Sequence, residues 1–173
     1  NAFVPMVQRV LRDTGVPAEL IEIELTESLL IANVEQARST ISALKALGLK
    51  ISIDDFGTGY SSLNYLRHFD VDYLKIDRSF VTDIANSPRD RAVVVAIIEL
   101  AKALDIKVVA EGVETHAQAA FFTEAQCCEF QGYLFCRPLP VEEIGRYLAA
   151  PSTSGDVRRT TAWNSVRGLL QGA

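Results

Sequence analysis

Short apolar runs rich in β-branched residues alternate along this chain with segments in which apolar residues recur every three or four positions. Four runs are clear, at residues 21–25, 51–54, 73–76 and 106–110, and residues 130–135 form a weaker fifth. Runs of this length, separated by helical segments, are typical of βα units that build a parallel sheet. The alternation predicts an α/β fold, either a closed barrel or an open doubly wound sheet.

The helical segments carry their own start signals. Residues 34–47 place apolar side chains on one stripe, and Asn33 stands where an N-cap is expected. Further helices are predicted after Ser87, after Thr115 and over residues 141–148. Each helix falls between two apolar runs or after the last one, as βα units require.

The length limits how much of a barrel the chain can form. At 173 residues it has the size of one domain. A closed eight-stranded barrel typically takes about 250 residues, so a barrel here is expected to be N-terminally incomplete, with about five βα units. We predict that residues 1–150 form this partial domain, and that the linker-like residues 151–173 form a C-terminal tail.

Composition excludes several classes of protein. Hydrophobic residues make up 49% of the chain, which is enough for a packed core and excludes a disordered chain. The net charge of −5, with no cluster of lysine and arginine, argues against binding to a nucleic-acid polymer. The longest apolar stretch, residues 92–98, is far shorter than the roughly 18 residues that cross a bilayer, so any membrane attachment is expected outside this chain.

The three cysteines form neither a disulfide framework nor a zinc-binding pattern. Cys127 and Cys128 are adjacent and Cys136 follows soon after. We interpret them as reduced thiols, which predicts a cytoplasmic location. A parent protein anchored to the inner membrane is compatible with that location.

Polar side chains interrupt or follow the apolar runs at their carboxyl ends. They are Glu24, Glu27, Asp54, Asp55, Lys75, Asp77, Glu111, Glu114 and Gln131. Ligands bind at this edge of parallel βα folds. Carboxylates gathered there repel one another unless a cation neutralises them, and a divalent metal ion is the simplest such cation.

The adjacent carboxylates of Asp54 and Asp55 are suited to a pair of metal ions. One can bridge two ions about 3.5–4 Å apart while the other binds a single ion, and Lys75 can orient a water or steady a phosphate oxygen. Oxygen donors favour Mg²⁺ or Mn²⁺ over Zn²⁺. Taken singly, the two aspartates could start a glycine turn and Lys75 could be a surface lysine. The repetition at successive strand ends favours a site for in-line displacement on phosphorylated substrates.

Five words occur in a fixed order: ELTES at residues 24–28, DDFGTGYSSL at 54–63, YLKID at 73–77, VAEGVE at 109–114, and QGYLF at 131–135 followed by RPL. This set resembles the signature of EAL domains, bacterial phosphodiesterases that open cyclic di-GMP to the linear dinucleotide pGpG. The resemblance implies a TIM-like (β/α) barrel, and the words cover about two thirds of one.

The resemblance also implies a metal site for two ions, Mg²⁺ or Mn²⁺. Glu24 and Asp54 correspond to ligands of the first ion, and Asp54 bridges to a second ion that Asp55 binds. Glu111 is a further implied ligand.

Catalytic roles are implied at four positions. Lys75 and Glu111 correspond to residues that hold or deprotonate the attacking water. Glu114 and Gln131 correspond to residues that support this water and the metal ligands.

The resemblance also implies regulation through the loop at residues 56–62. Glu27 is similar to the glutamate that anchors this loop in the family. This loop couples the metal site to a dimer interface, so we expect a homodimer through residues 55–62. The parent chain is expected to carry an upstream sensor or diguanylate cyclase domain.

One departure from the family pattern lies at the start of the chain. The Glu-Ala-Leu strand of the family, its substrate-gripping arginine and its asparagine ligand are absent from this sequence. We therefore expect hydrolysis from the complete domain, and an isolated chain that folds poorly and is inactive. The alternatives are a non-catalytic cyclic di-GMP-binding or dimerising module, and an enolase-like barrel in which Lys75 acts as a base.

Overall fold

The computed structural model describes residues 2–57, 66–127 and 129–149, and within these ranges it contains five strands and seven α-helices. The strands are β1 (Glu22–Thr26), β2 (Lys50–Phe56), β3 (Tyr73–Ile76), β4 (Lys107–Glu111) and β5 (Glu129–Gln131). The helices are α1 (Phe3–Thr14), α2 (Glu27–Ala32), α3 (Val34–Ala46), α4 (Arg78–Thr82), α5 (Pro88–Ala103), α6 (His116–Glu124) and α7 (Val141–Ala149).

The strands form one five-stranded sheet whose order follows the sequence. β1 and β2 pair in parallel, with Ile23 opposite Ile51, and the β2–β3 and β4–β5 pairs are parallel as well. Helices connect β1 to β2, β3 to β4 and β4 to β5, as is usual between parallel strands. The predicted α/β class is confirmed, and the first four predicted strands lie within two residues of the observed bounds.

The fifth predicted strand, residues 130–135, was wrong in its extent. β5 ends at Gln131 and the chain turns, with the Phe135 N–H donating to the Gly132 carbonyl at 3.1 Å. Gly132 lies so close to the backbone of Val113 that a Cβ there would overlap it. The apolar residues that follow Gly132 therefore belong to a turn.

Predicted helix caps are present where the sequence placed them. The Asn33 side chain accepts the N–H of Gln36 at the start of α3. Thr115 and Gln118 form a capping box at the start of α6, and the Ser87 hydroxyl accepts the N–H of Asp90 in α5. The short helices α2 and α4 were not predicted, since one or two turns show no clear period.

Contacts divide the chain into two units with separate cores. Unit 1 comprises Asn1–Asp77 and Glu99–Val108, and unit 2 comprises Arg78–Ile98 and Val109–Ala173. Fully or almost fully buried side chains of unit 1 include Leu44, Ile51, Ile53, Leu74 and Ile76. Those of unit 2 include Val81, Val94, Ala110, Val113 and Phe122. The core of each unit holds in place the strand ends that carry that unit's own candidate residues.

Asp72 joins three parts of unit 1. Lys45 Nζ donates to both carboxylate oxygens at 2.8 and 2.7 Å, Lys50 Nζ donates at 3.1 Å, and the Ile51 N–H donates at 2.9 Å. Burial favours the neutral acid, but these hydrogen bonds outweigh it and hold the pKa of Asp72 below its usual value. The hydrogen bond that Lys50 donates to Asp72 and the negative charge of Asp72 raise the pKa of Lys50.

Several predictions concern segments outside the described residues. The tail at 151–173 and Cys128 both lie there, as does most of the loop at 56–62. Cys127 and Cys136 are free thiols. No helix within the described ranges combines the length and the apolar character that a membrane span needs.

Candidate active site

Lys75 is the centre of a charged cluster in unit 1. Its Nζ lies 2.7 Å from Oε1 of Glu24 and 3.4 Å from Oδ1 of Asp54. The lysine side chain is only 7% exposed, whereas Glu24 is half exposed. A buried ammonium needs anionic partners to offset its lost hydration. The interpretation of Lys75 as a surface lysine was therefore wrong.

Strand register explains why these side chains share one face. Glu24 stands opposite Ser52, and Ser52 stands opposite Tyr73. Because side chains alternate along a strand, Asp54 follows Ser52 on that face and Lys75 follows Tyr73. The parallel pairing of three strands thus gathers residues that are up to 51 positions apart in sequence.

The adjacent aspartates diverge at the end of β2. The β2–β3 register shifts between Ile53 and Phe56, and Asp55 takes a left-handed conformation with φ of 54°. Asp55 is exposed, and Asp54 is partly buried. The two neighbouring carboxylates therefore face different surroundings.

Glu27 is a buried carboxylate at the first position of α2. It is 7% exposed, and its Oε2 accepts the N–H of Gly57 at 3.3 Å. Apolar side chains of Leu30, Phe56 and Leu66 line the adjacent pocket. Its buried Oε1 accepts no hydrogen bond from the described residues. Glu27 thus contacts the first residue after β2, where the predicted anchored loop begins.

In unit 2, Glu111 and Gln131 are register partners at the carboxyl ends of β4 and β5. They line an open cleft together with Arg78, Glu114, Tyr133 and Arg137. The Arg137 guanidinium lies over the Tyr133 ring, 5.0 Å from its centroid. Two carboxylates, an amide and two arginines therefore line the same cleft.

Glu114 is held by a residue that the sequence analysis did not single out. Arg78 Nη2 donates to Oε1 of Glu114 at 2.7 Å. Arg78 directly follows the YLKID word. This position, just after a predicted strand, was the sequence signal that could have identified Arg78 as a candidate site residue. Ser52 and Asp72 were missed as well, because nothing in their local pattern sets them apart.

The donor chemistry in unit 1 suits a hard divalent cation. Oδ1 of Asp54 is buried and accepts no hydrogen bond from the part of the chain that the structure describes, although Lys75 lies near it. Carboxylate oxygens are the ligands that such ions prefer. Among the described residues, no three His, Cys, Asp or Glu side chains are grouped so as to hold a metal ion by themselves. Glu24 and Asp54 thus fit such an ion in donor type, and they need further donors.

A family model described as "EAL domain" matches residues 1–138. The chain belongs to the EAL domain family. Among curated relatives, the cyclic di-GMP phosphodiesterase NbdA of Pseudomonas aeruginosa is 48% identical over 149 residues, which are 86% of this chain and 19% of NbdA. The resemblance inferred from the five sequence words is confirmed.

Solved EAL structures have the same fold. The phosphodiesterase PaMucR in complex with c-di-GMP is 41% identical, with a TM-score of 0.80 over 83% of this chain and 58% of that one. BlrP1 of Klebsiella pneumoniae, in complex with manganese and cyclic di-GMP, is 38% identical, with a TM-score of 0.73 over 78% of this chain and 34% of that one. These matches confirm the predicted TIM-like barrel class. The chain spans less than two thirds of each of these proteins.

Proposed function

We propose that this chain supplies part of the site at which a complete EAL domain hydrolyses cyclic di-GMP to linear pGpG. Relatives with the same fold support this, since NbdA carries the name of a cyclic di-GMP phosphodiesterase and PaMucR binds c-di-GMP. BlrP1 binds calcium or manganese together with that dinucleotide. Divalent metal use is therefore a property of solved EAL structures, and for this chain we propose Mg²⁺ or Mn²⁺.

In this proposal the metal ligands are Glu24, Asp54, Asp55 and Glu111. Two ions bound there would supply positive charge to the phosphodiester and lower the pKa of a water. Lys75 would keep Glu24 and Asp54 together and add its own positive charge. The excess of carboxylate over ammonium in this cluster leaves negative charge that a cation relieves.

The reaction is an in-line displacement at phosphorus. A water oxygen forms a new P–O bond, one ester P–O bond breaks, and the leaving sugar oxygen takes up a proton. We assign Glu111 and Lys75 to the water, as proton acceptor and as hydrogen-bond donor. Gln131 lies beside Glu111 in the β4–β5 register and can orient the same water through its amide.

The observation that carries the proposal is the burial of Lys75 between two carboxylates. A surface lysine would give little support to a functional site. The ammonium of Lys75 is only 7% exposed and lies 2.7 Å from Glu24, so keeping it there costs hydration free energy. Burial of a charged group beside specific charged partners is a feature of many functional sites.

The test measures pGpG release by the complete protein that contains this chain, with Mg²⁺ or Mn²⁺ and with a chelator. We expect turnover that depends on the metal and is lost in Asp54→Asn. The 173-residue chain by itself is expected to release no pGpG, because the family's Glu-Ala-Leu strand is outside it. Tight binding of cyclic di-GMP without turnover would favour the alternative, a non-catalytic binding or dimerising module.

Three further expectations are part of the proposal. We propose a homodimer through residues 55–62, an upstream sensor or diguanylate cyclase domain, and a cytoplasmic location for the catalytic part. Light scattering of the complete protein tests the first, and its mass should be twice that of one chain.

A further inference from the structure

Arg78 and Glu114 form an exposed ion pair in unit 2. The side chains are 60% and 41% exposed, and the Nη2 to Oε1 distance is 2.7 Å. Ion pairs with this exposure contribute little to the free energy of unfolding. Stabilisation of the fold by this ion pair is therefore a weak explanation for the position of Arg78.

The aliphatic part of Arg78 lies against Gly112. Gly112 has φ of 70°, and a Cβ there would overlap Cγ and Cδ of the arginine. Only glycine allows this approach without strain. Gly112 directly follows Glu111, so Arg78 packs on the residue next to Glu111 and pairs with the side chain of Glu114, three positions after Glu111.

Gln118 fixes the backbone of the same segment from a buried position. Its Oε1 accepts the N–H groups of Glu114 and Thr115 at 2.8 and 2.9 Å. Its Nε2 donates to the carbonyls of Val81 and Thr82 at 3.0 and 3.2 Å. These bonds tie the segment to α4, the helix that begins with Arg78.

The turn after β5 holds the segment as well. The Val113 N–H donates to the Gln131 carbonyl, and the Leu134 N–H donates to the Val113 carbonyl, both at 3.0 Å. The backbone of residues 112–115 is therefore fixed on both sides. The carboxylate of Glu114 accepts a hydrogen bond from Arg78.

We propose that Arg78 is a positioning residue for the reaction, which orients the Glu114 carboxylate beside Glu111 and packs on Gly112. The inference rests on the proposed function, because the family resemblance implies that Glu114 supports the attacking water in that reaction. Arg78 acts through Glu114, so its loss should lower turnover and leave substrate binding nearly unchanged.

The test is a double-mutant cycle on cyclic di-GMP hydrolysis by the complete protein, with kcat and KM measured separately. Arg78→Met keeps the aliphatic stem and removes the charge. We expect kcat to fall about 10- to 100-fold, the range for partners that orient a catalytic group. Arg78→Lys should recover part of the loss. In the double variant with Glu114→Gln, Arg78→Met should lower kcat little further, because both substitutions break the same interaction.

Arg38→Met is the matched control. Arg38 is also 60% exposed and pairs with a glutamate, Glu35, at 3.5 Å. It lies on α3, outside the proposed machinery, and its substitution should leave kcat unchanged. Thermal unfolding of Arg78→Met should match that of the control, because both ion pairs are exposed.

Three outcomes would overturn the inference while leaving the proposed function intact. The first is that the two substitutions lower kcat additively in the cycle. The second is a rise in KM with unchanged kcat. The third is a fall in the kcat of Arg78→Met that is explained by a lowered melting temperature. If the unaltered protein shows no turnover, the proposed function fails, and the inference fails with it.

Discussion

Unit 1 contains two clusters of lysine and carboxylate side chains, and they differ in how completely their polar atoms are paired. At Asp72, two lysines and a backbone N–H supply four hydrogen bonds to one carboxylate. At Lys75, one ammonium faces two carboxylates, and Oδ1 of Asp54 accepts no hydrogen bond from the described residues. The first cluster has both carboxylate oxygens paired and one positive charge in excess, and the second has one negative charge in excess.

This difference separates a structural cluster from a candidate functional one. A fully paired polar network in a partly buried place stabilises the fold. An incompletely paired one keeps repulsion that a bound cation relieves, so its charges are available to a ligand. The two clusters should therefore respond in opposite ways when a carboxylate is removed.

The largest effect is expected for Asp54→Ala. If Asp54 is a metal ligand, losing several kcal/mol of transition-state stabilisation lowers kcat about 10³-fold or more. Without metal, the variant should be as stable as the unaltered protein or more stable, because a repelling carboxylate has gone. Turnover and thermal unfolding measure the two effects. Collapse of the variant would show that Asp54 is structural.

Lys75→Met should have the next largest effect. It leaves Glu24 and Asp54 facing each other without the ammonium, so we expect kcat to fall about 10²-fold and the free energy of unfolding to fall by about 2 kcal/mol. Added Mg²⁺ should restore part of that stability. Lys102→Met is the control, since Lys102 pairs with Glu99 at the surface at a similar distance of 2.7 Å. Equal effects of the two substitutions would contradict the role of the buried cluster.

Asp72→Asn should act on stability alone. The lowered pKa of Asp72 contributes stability that is fully present above its ordinary value of 3.8 and is lost as pH falls through the lower folded value. We expect the variant to lose about 2 kcal/mol at pH 7, with a smaller difference from the unaltered protein in acid. Urea unfolding at several pH values measures this. Changed metal-dependent turnover would contradict the separation of the two clusters.

The smallest effect is expected at Glu27. Its long hydrogen bond to Gly57 and its unpaired Oε1 indicate a weak anchor in the described residues, so Glu27→Ala should cost little stability. Loosening of the loop at 56–62 should weaken Mn²⁺ binding about tenfold, as measured by titration of the complete protein. Glu27→Gln keeps an acceptor for Gly57 and should be milder. Kinetics and metal affinity that are unchanged in both would exclude the anchoring role.

Much of the fold could be predicted from the sequence because its signals are local. The caps at Asn33 and Thr115 and the apolar stripe of α3 depend on neighbours three or four positions away. β5 shows the limit of that reasoning. Its apolar continuation looked like strand, but the close approach of Gly132 to Val113 turns the chain. That contact joins residues that only the fold brings together.

The candidate site was predictable in its residue types and less so in its partners. Ordered words identified Glu24, Asp54 and Lys75, and their roles as ligands and catalytic groups stay predictions. Their grouping around one ammonium depends on the parallel register of three strands. The pairing of Arg78 with Glu114 spans 36 positions and had no local signal.

The sequence by itself determined the succession of βα units, the helix caps and the family, because periodicity, capping and ordered motifs are properties of neighbouring residues. The tertiary structure decided which charges are buried and which are paired. Register and packing alone set the distance from Lys75 to its carboxylates and its removal from water. The energy of a charge depends on its surroundings, and those surroundings come from distant parts of the chain.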